Sequence, residues 1–159
     1  MLEHLKLHLT GKVIILGIGN TLRSDDAAGS ALASRLEGKV PFAVYDSGAN
    51  PENYLEKIAK EKPDNLVIID AADFGGKPGE FRAIEAEELK TVNLFSTHNA
   101  SISLLTNYLQ SQIKVDIIIL IIQPKSIAFG DQLSPQVAEA ISKLESWFLG
   151  AHDGAKEKG

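Results

Sequence analysis

The sequence has 159 residues, which is the size of one globular domain with a hydrophobic core of its own. Lys and Arg number 16 against 21 Asp and Glu, and this acidic balance excludes the basic surface that binds nucleic acid or an anionic membrane. The absence of cysteine excludes thiol catalysis, iron–sulfur clusters, disulfides and thiolate metal sites. Any metal ion would have to bind oxygen or imidazole nitrogen.

The first ten residues alternate apolar and charged side chains and lack the continuous apolar stretch of a signal peptide. The longest apolar run, 117–122, is much shorter than the roughly 20 residues that a membrane span needs. We therefore predict a cytoplasmic protein with no direct membrane insertion. His4, His8 and His152 lie in the terminal segments, where we expect them to be solvated or hydrogen-bonded.

The first half of the chain alternates β-branched runs with helical patterns. Asn50 and Pro51 pair a favourable N-cap residue with proline at the first helical position. A run that is apolar throughout and ends at glycine, such as 12–17, is typical of a strand buried on both faces of a parallel sheet. We predict strands over 12–17, 41–46 and 65–70, with helices over 25–36 and 51–60 between them.

In the second half, a glycine-rich loop and a short extended stretch, 81–84, precede a helix that follows His98 and a strand over 116–122. Ser134 and Pro135 begin a last helix, whose apolar residues recur at helical spacing until Gly150. The alternation of strands and helices predicts an α/β fold, a three-layer α/β/α sandwich with a mostly parallel twisted sheet. We predict one domain over 1–159, with its core at about 11–150 and a frayed polar tail at 151–159.

Three aspartates lie where predicted strands or their loops end. Asp46 and Asp70 end the second and third strands, and Asp26 follows the loop after the first strand. Ligands of open α/β sheets bind at the carboxyl ends of the strands, so we expect these carboxylates to share one edge. Like charges placed close together need a cation or a shared proton. With an imidazole nitrogen from His98, the set suits a divalent metal ion such as nickel, zinc or manganese.

Two further interpretations of these segments are open. Gly17 and Gly19 after the first strand suit a dinucleotide-binding loop with Asp46 on the ribose, but Leu22 replaces the third glycine and two carboxylates would repel a pyrophosphate. A serine hydrolase could use Ser47 or Ser96 with His98, although no G-x-S-x-G motif is present.

A structural role is also open for one member of the acidic pair Asp25 and Asp26. Carboxylates stabilise a helix N-terminus by interacting with its dipole. One of the two aspartates could therefore serve the helix that we predict over 25–36 instead of a functional site.

Six ordered motifs carry a resemblance to a known family: Gly17-x-Gly19-Asn20-x-Leu22-x-x-Asp25-Asp26-x-Ala28-Gly29, Asp46-x-Gly48, Asp70-Ala71-x-Asp73-x-Gly75, Pro78-Gly79-Glu80, Thr97-His98-Asn99 and Gln123-Pro124. They resemble the nickel–iron hydrogenase maturation endopeptidases over about residues 13–149. The last two motifs are most similar to the branch that serves formate-hydrogenlyase-type, membrane-associated hydrogenases. One departure is Ala27, where members often carry glycine.

The resemblance implies a single catalytic domain that removes a short C-terminal extension from the precursor of a hydrogenase large subunit after nickel insertion. It carries the nickel-binding positions over to Asp26, Asp70 and His98, and it matches Asp46 to a further acidic position. We expect Asp26, Asp46 and Asp70 to take part in catalysis, with a water activated by the metal or by Asp46 as the attacking group. The substrate would supply the nickel, and zinc or another divalent ion could occupy the same site.

We expect the protein to be a monomer that meets the precursor transiently, with loops 18–24 and 75–79 gripping it. Two alternatives from other classes remain. The first is a peptidyl-tRNA-hydrolase-like or other α/β hydrolase, which could share the Gly-x-Gly-Asn loop. The second is a non-enzymatic nickel metallochaperone, which would bind the precursor without cutting it.

Overall fold

Five strands form one sheet. The computed structural model describes residues 2–158, and the side chains of residues 2–151. The strand order is β2-β1-β3-β5-β4, and only β4 runs antiparallel to its neighbour among the described strands. The strands are β1 (Val13–Gly17), β2 (Ala43–Asp46), β3 (Asn65–Ala71), β4 (Phe81–Glu85) and β5 (Asp116–Ile122).

Helices follow the strands as the sequence predicts, with one addition at the N-terminus. The α-helices are α1 (Leu2–Lys6), α2 (Ala28–Leu36), α3 (Leu55–Glu61), α4 (Asn99–Gln112) and α5 (Pro135–Lys158). Short 3₁₀ segments at Ser24–Ala27 and Pro51–Tyr54 lead into α2 and α3, and a third follows β4 at Ala86–Lys90. The sequence did not predict α1, because its five residues are too short to show a helical period.

The helices cover both faces of the sheet, which confirms the predicted α/β/α sandwich. Successive residues of a strand point to opposite faces, so each central strand contributes to two cores. Ile15 packs with α2 and α5 on one face, and its neighbours Ile14 and Leu16 pack with α3 and α4 on the other. Because both faces of β1 and β3 are buried, β1 and the segment 66–69 of β3 are apolar throughout, and the polar Asn65 and Asp70 of β3 are buried as well.

Two glycines let α2 lie unusually close to the sheet. A Cβ atom on Gly29 would collide with the carbonyl oxygens of Ile69 and Ile18, and one on Gly17 would collide with the Ala33 side chain. This close packing accounts for the glycine at the end of β1 without a bound nucleotide. It also holds the beginning of α2 against the carboxyl edge of the sheet, where ligands of such folds bind.

The last helix is longer than predicted. Helix α5 continues past Gly150 to Lys158, so the predicted helix end at Gly150 was wrong. A glycine inside a helix costs only about 1 kcal/mol relative to alanine, and the buried Ala151 continues the apolar face beyond it. The side chains of residues 152–158, including that of His152, lie outside the described part of the structure. Among the described residues, no helix is both long and apolar enough to cross a membrane.

Candidate active site

Asp70 and His98 meet because of the alternation along β3. Leu66 and Ile68 point to the face that α4 covers, and Asp70, two residues further on, points the same way. His98 occupies the N-cap position of α4, directly above this end of the strand. Its Nδ1 atom lies 3.1 Å from Oδ1 of Asp70. Asp70 is 1% exposed, so this contact is shielded from water.

Asp25 fixes the loop that carries the third member of the site. Its buried carboxylate accepts hydrogen bonds from the backbone N–H groups of Lys125, Ser126 and Ser134. Ser24, at φ 50°, donates its hydroxyl to the carbonyl of Ala128 and links the same two loops. Of the two adjacent aspartates, Asp25 is therefore the one with a structural role.

Asp26 completes a centre with Asp70 and His98. Its Oδ1 accepts a hydrogen bond of 2.9 Å from the Thr97 hydroxyl, and its Oδ2 lies 3.8 Å from Nε2 of His98. Oδ2 is buried, and within the described part of the chain it has no hydrogen-bond partner. A buried carboxylate oxygen without a donor is costly, and a cation beside it would relieve that cost.

Two hydroxyl residues orient the centre, and sequence reasoning did not assign them this role. Ser96 donates to Oδ2 of Asp70 and accepts the backbone N–H of His98, while Thr97 holds Asp26. The only signal in the sequence was their position directly before His98. Ser96 contacts the carboxylate and not the imidazole, and Ser47 donates to the carbonyl of Gly17. Neither serine is placed as the nucleophile of a serine hydrolase.

The pKa values of both Asp70 and His98 are raised in this centre. Burial raises the pKa of the Asp70 carboxyl above its usual range, against the hydrogen bonds from His98 and Ser96 and the charge of His98. Burial also opposes the charged form of His98, but the hydrogen bond that His98 donates to Asp70 and the negative charges of Asp70 and Asp26 outweigh it. The pKa of His98 is consequently raised.

Asp46 ends β2 at the same edge of the sheet but does not contact the other three side chains. It is exposed; its Oδ1 accepts the backbone N–H of Gly48, and its Oδ2 accepts a weak hydrogen bond of 3.4 Å from Ser34. The backbones of Asp26, Asp46 and Asp70 lie at one edge of the sheet, as expected. Only the side chains of Asp26 and Asp70 come together with His98. The catalytic role of Asp46 stays a prediction.

A cleft of about 150 Å³ opens beside Asp26 and Thr97. Phe95, which is 59% exposed, lines the cleft together with Ala71, Pro124 and Ile127. The neighbouring loop 75–79 is held by Gln123, whose side-chain oxygen accepts the backbone N–H groups of Phe74 and Gly76. A peptide segment in this cleft would pass directly beside the carboxylate of Asp26.

The donor set fits a divalent metal ion of the borderline class. Two carboxylates and one imidazole are the ligand types that nickel and zinc accept, and three protein ligands leave positions for other molecules. Asp26 lies near Nε2 of His98 and Asp70 contacts Nδ1 of the same ring, so the side chains would have to turn for all three to reach one ion. Fold and site together define an α/β protein with a carboxylate–imidazole centre at the carboxyl edge of its sheet.

Comparison with known proteins gives this centre its context. A family model described as hydrogenase maturation protease matches residues 27–151. The Hydrogenase 3 maturation protease of Escherichia coli K12 is 34% identical over 143 residues, which cover 84% of this chain and 89% of that protein. The chain belongs to the hydrogenase maturation protease family and is an enzyme that hydrolyses peptide bonds.

Solved structures show the same relationship. The crystal structure of the [NiFe] hydrogenase maturation protease HycI from Thermococcus kodakarensis has a TM-score of 0.80 and 31% identity, covering 94% of this chain and 99% of that one. The solution structure of the endopeptidase HycI from Escherichia coli has a TM-score of 0.77 and 30% identity, covering 87% and 90%. These findings decide against a peptidyl-tRNA-hydrolase-like enzyme and a non-enzymatic chaperone.

Proposed function

We propose that this enzyme removes a short C-terminal extension from the nickel-loaded precursor of a [NiFe]-hydrogenase large subunit. Family membership and the names of its similar proteins support the reaction class and the hydrogenase precursor as substrate. The exposed side chain of Phe95 and the adjacent cleft offer a place for an extended peptide. The reaction takes place in the cytoplasm, and the enzyme acts as a monomer.

The observation that carries the proposal is the buried, unpartnered Oδ2 of Asp26. Nickel in the precursor is part of the substrate, and Asp26, Asp70 and His98 are the residues that bind it. Without nickel, Oδ2 of Asp26 stays without a hydrogen-bond donor among the described residues, and a protonated His98, with Nε2 at 3.8 Å, is the cation beside it. The enzyme therefore distinguishes the two forms of the precursor by electrostatics.

In the hydrolysis itself, a water oxygen forms a bond to the scissile carbonyl carbon, the C–N bond breaks, and a proton passes to the new amine. The chain has no cysteine, Ser96 donates its hydroxyl to Asp70, and Ser47 donates to the carbonyl of Gly17, so we assign the attack to water. Asp46 is exposed at the same edge of the sheet and is one base that could accept its proton; the substrate's metal is the other activator.

The test is intact-mass spectrometry of a large-subunit precursor incubated with the enzyme, with and without inserted nickel. We expect a C-terminal peptide to be lost only from the nickel-loaded form. Asp116→Asn is a matched control, because Asp116 is exposed at the opposite edge of the sheet, and it should cleave normally. Cleavage of both forms at equal rates would contradict nickel recognition, and cleavage of neither would contradict the proposed substrate.

A further inference from the structure

A second group of metal-ligating side chains lies at the amino edge of the parallel strands. His4 in α1, His8 just after it and Glu85 at the end of β4 place their ligand atoms within 4.8 Å of one another. The Nε2 atoms of His4 and His8 lie 2.7 Å and 2.9 Å from the same carboxylate oxygen, Oε1 of Glu85. This cluster is formed by residues that the proposed function does not use.

The orientation of His8 is fixed by a buried amide. The Nδ2 group of Asn65 donates to the carbonyl of Thr10 at 2.8 Å, so its Oδ1 faces Nδ1 of His8, at 3.1 Å. An amide oxygen can only accept, and Nδ1 of His8 must therefore carry the proton. In a neutral imidazole, Nε2 is then left with a lone pair directed at Oε1 of Glu85.

A lone pair that faces a carboxylate oxygen is repulsive unless a positive charge lies at Nε2. That charge is either a second proton on His8 or a metal ion. An outer hydrogen bond that holds Nδ1–H and frees Nε2 is the arrangement that orients histidine ligands in metal sites. The carboxylate is also held in place, because Glu85 accepts the backbone N–H of Glu88 in a capping box.

We infer that His4, His8 and Glu85 form a binding site for a divalent metal ion of the zinc class. Two imidazoles and one carboxylate are a recognised three-ligand set for Zn²⁺, with a fourth position left for water. His8 is buried and His4 is half-exposed, so the site is reachable from solvent on one side. The bound ion joins α1 to the edge strand β4 and thereby clips the N-terminal segment to the sheet.

The test is calorimetric titration with Zn²⁺ of the full-length, tag-free chain carrying His98→Ala, which disables the active-site centre. We expect one ion to bind per chain, and we expect its affinity to fall by at least about 10-fold when His4→Ala or Glu85→Gln is added. Both altered side chains are only partly buried, so the fold should persist. Glu3→Gln is the matched control on the exposed face of α1, and it should bind like the parent.

A second readout is the thermal unfolding midpoint, because an ion that binds only the folded chain raises it. Zn²⁺ should raise the midpoint of the parent and of the Glu3→Gln control, and chelation should reverse the shift. With His4→Ala or Glu85→Gln the shift should shrink. Failure of the parent to bind, or equal binding by all four chains, would overturn the inference.

Discussion

The sheet carries two clusters of imidazole and carboxylate groups at opposite edges, and they differ in composition. At the carboxyl edge, two aspartates and one histidine, Asp26, Asp70 and His98, are buried to 7% exposure or less. At the amino edge, one carboxylate oxygen of Glu85 is shared by two histidines, His4 and His8. The first cluster has more carboxylates than imidazoles, and the second has more imidazoles than carboxylates.

This difference determines what each cluster needs. In the carboxylate-rich centre one oxygen, Oδ2 of Asp26, is left without a hydrogen bond among the described residues, and protonating His98 alone does not supply one. In the imidazole-rich cluster, Nε2 of His4 and both ring nitrogens of His8 each face an oxygen atom. This contrast underlies our proposals that the carboxyl-edge centre meets a cation carried by the substrate and that the amino-edge cluster binds an ion of its own.

The largest effect is expected from Asp26→Asn, which removes the unpartnered charge. We expect cleavage of the nickel-loaded precursor to fall by about 1,000-fold, the upper range for losing one electrostatic group in an active site. Stability should be unchanged or higher, because one buried oxygen of this carboxylate has no donor among the described residues, which is costly. Cleavage rates by mass spectrometry and thermal unfolding check both parts, and a destabilised variant or normal cleavage would contradict the account.

The neighbouring substitution Asp25→Ala should instead lower the stability of the fold. Its carboxylate accepts three backbone N–H groups in a buried position, and hydrogen bonds to charged groups are worth about 1.5–3 kcal/mol each. We expect the free energy of unfolding, measured in urea, to fall by about 3 kcal/mol. If stability is unchanged, the loop 124–134 is not held by Asp25.

A smaller effect is expected from Thr97→Val, which keeps the shape of the side chain and removes the hydroxyl that holds Asp26. Partners that orient metal ligands are worth 10–100-fold, so we expect nickel-dependent cleavage to fall by about 10-fold. His4→Ala is the comparison variant from the other cluster and should leave the cleavage rate unchanged. Equal losses in both variants would mean that the two clusters are not functionally separate.

The smallest effect is a pH dependence of stability in the metal-free protein. Because the pKa of His98 is raised in the folded state, its stabilising effect is fully present below the ordinary histidine value of about 6.5 and is lost as pH rises through the raised value. The difference in unfolding free energy between the wild type and His98→Gln should therefore shrink with rising pH. A difference that grows with pH would contradict this sign.

The sequence predicts β1, β3 and β5 well because most of their residues are apolar on both faces, and it predicts Asp70 and Asp26 at the sheet edge because parallel strands end together. It does not predict α1, which is one short turn held by the buried Leu5, nor the antiparallel direction of β4. The direction of β4 depends on the path of the loop that follows Asp70, and the amino-acid composition does not predict that path.

The details of both clusters also lie beyond the sequence. Asp46 ends its strand at the predicted edge, yet its carboxylate contacts Gly48 and Ser34, because Asp46 points to the α2 face of the sheet, like Val44, and Asp70 points to the α4 face. Ser96 and Thr97 orient the centre through hydroxyl geometry that spacing alone does not reveal. The meeting of His8 with Glu85 depends on the register of β4 against β5, which brings together residues far apart in the chain.

The central claim is that the carboxylate-rich centre recognises nickel in the substrate. The most direct measurement is the affinity of the enzyme for a large-subunit precursor with and without nickel, compared between the wild type and Asp26→Asn. The account predicts that nickel strengthens binding to the wild type and that this gain disappears in Asp26→Asn. An equal gain in both proteins would show that nickel is recognised elsewhere, and the centre would lose the role assigned to it.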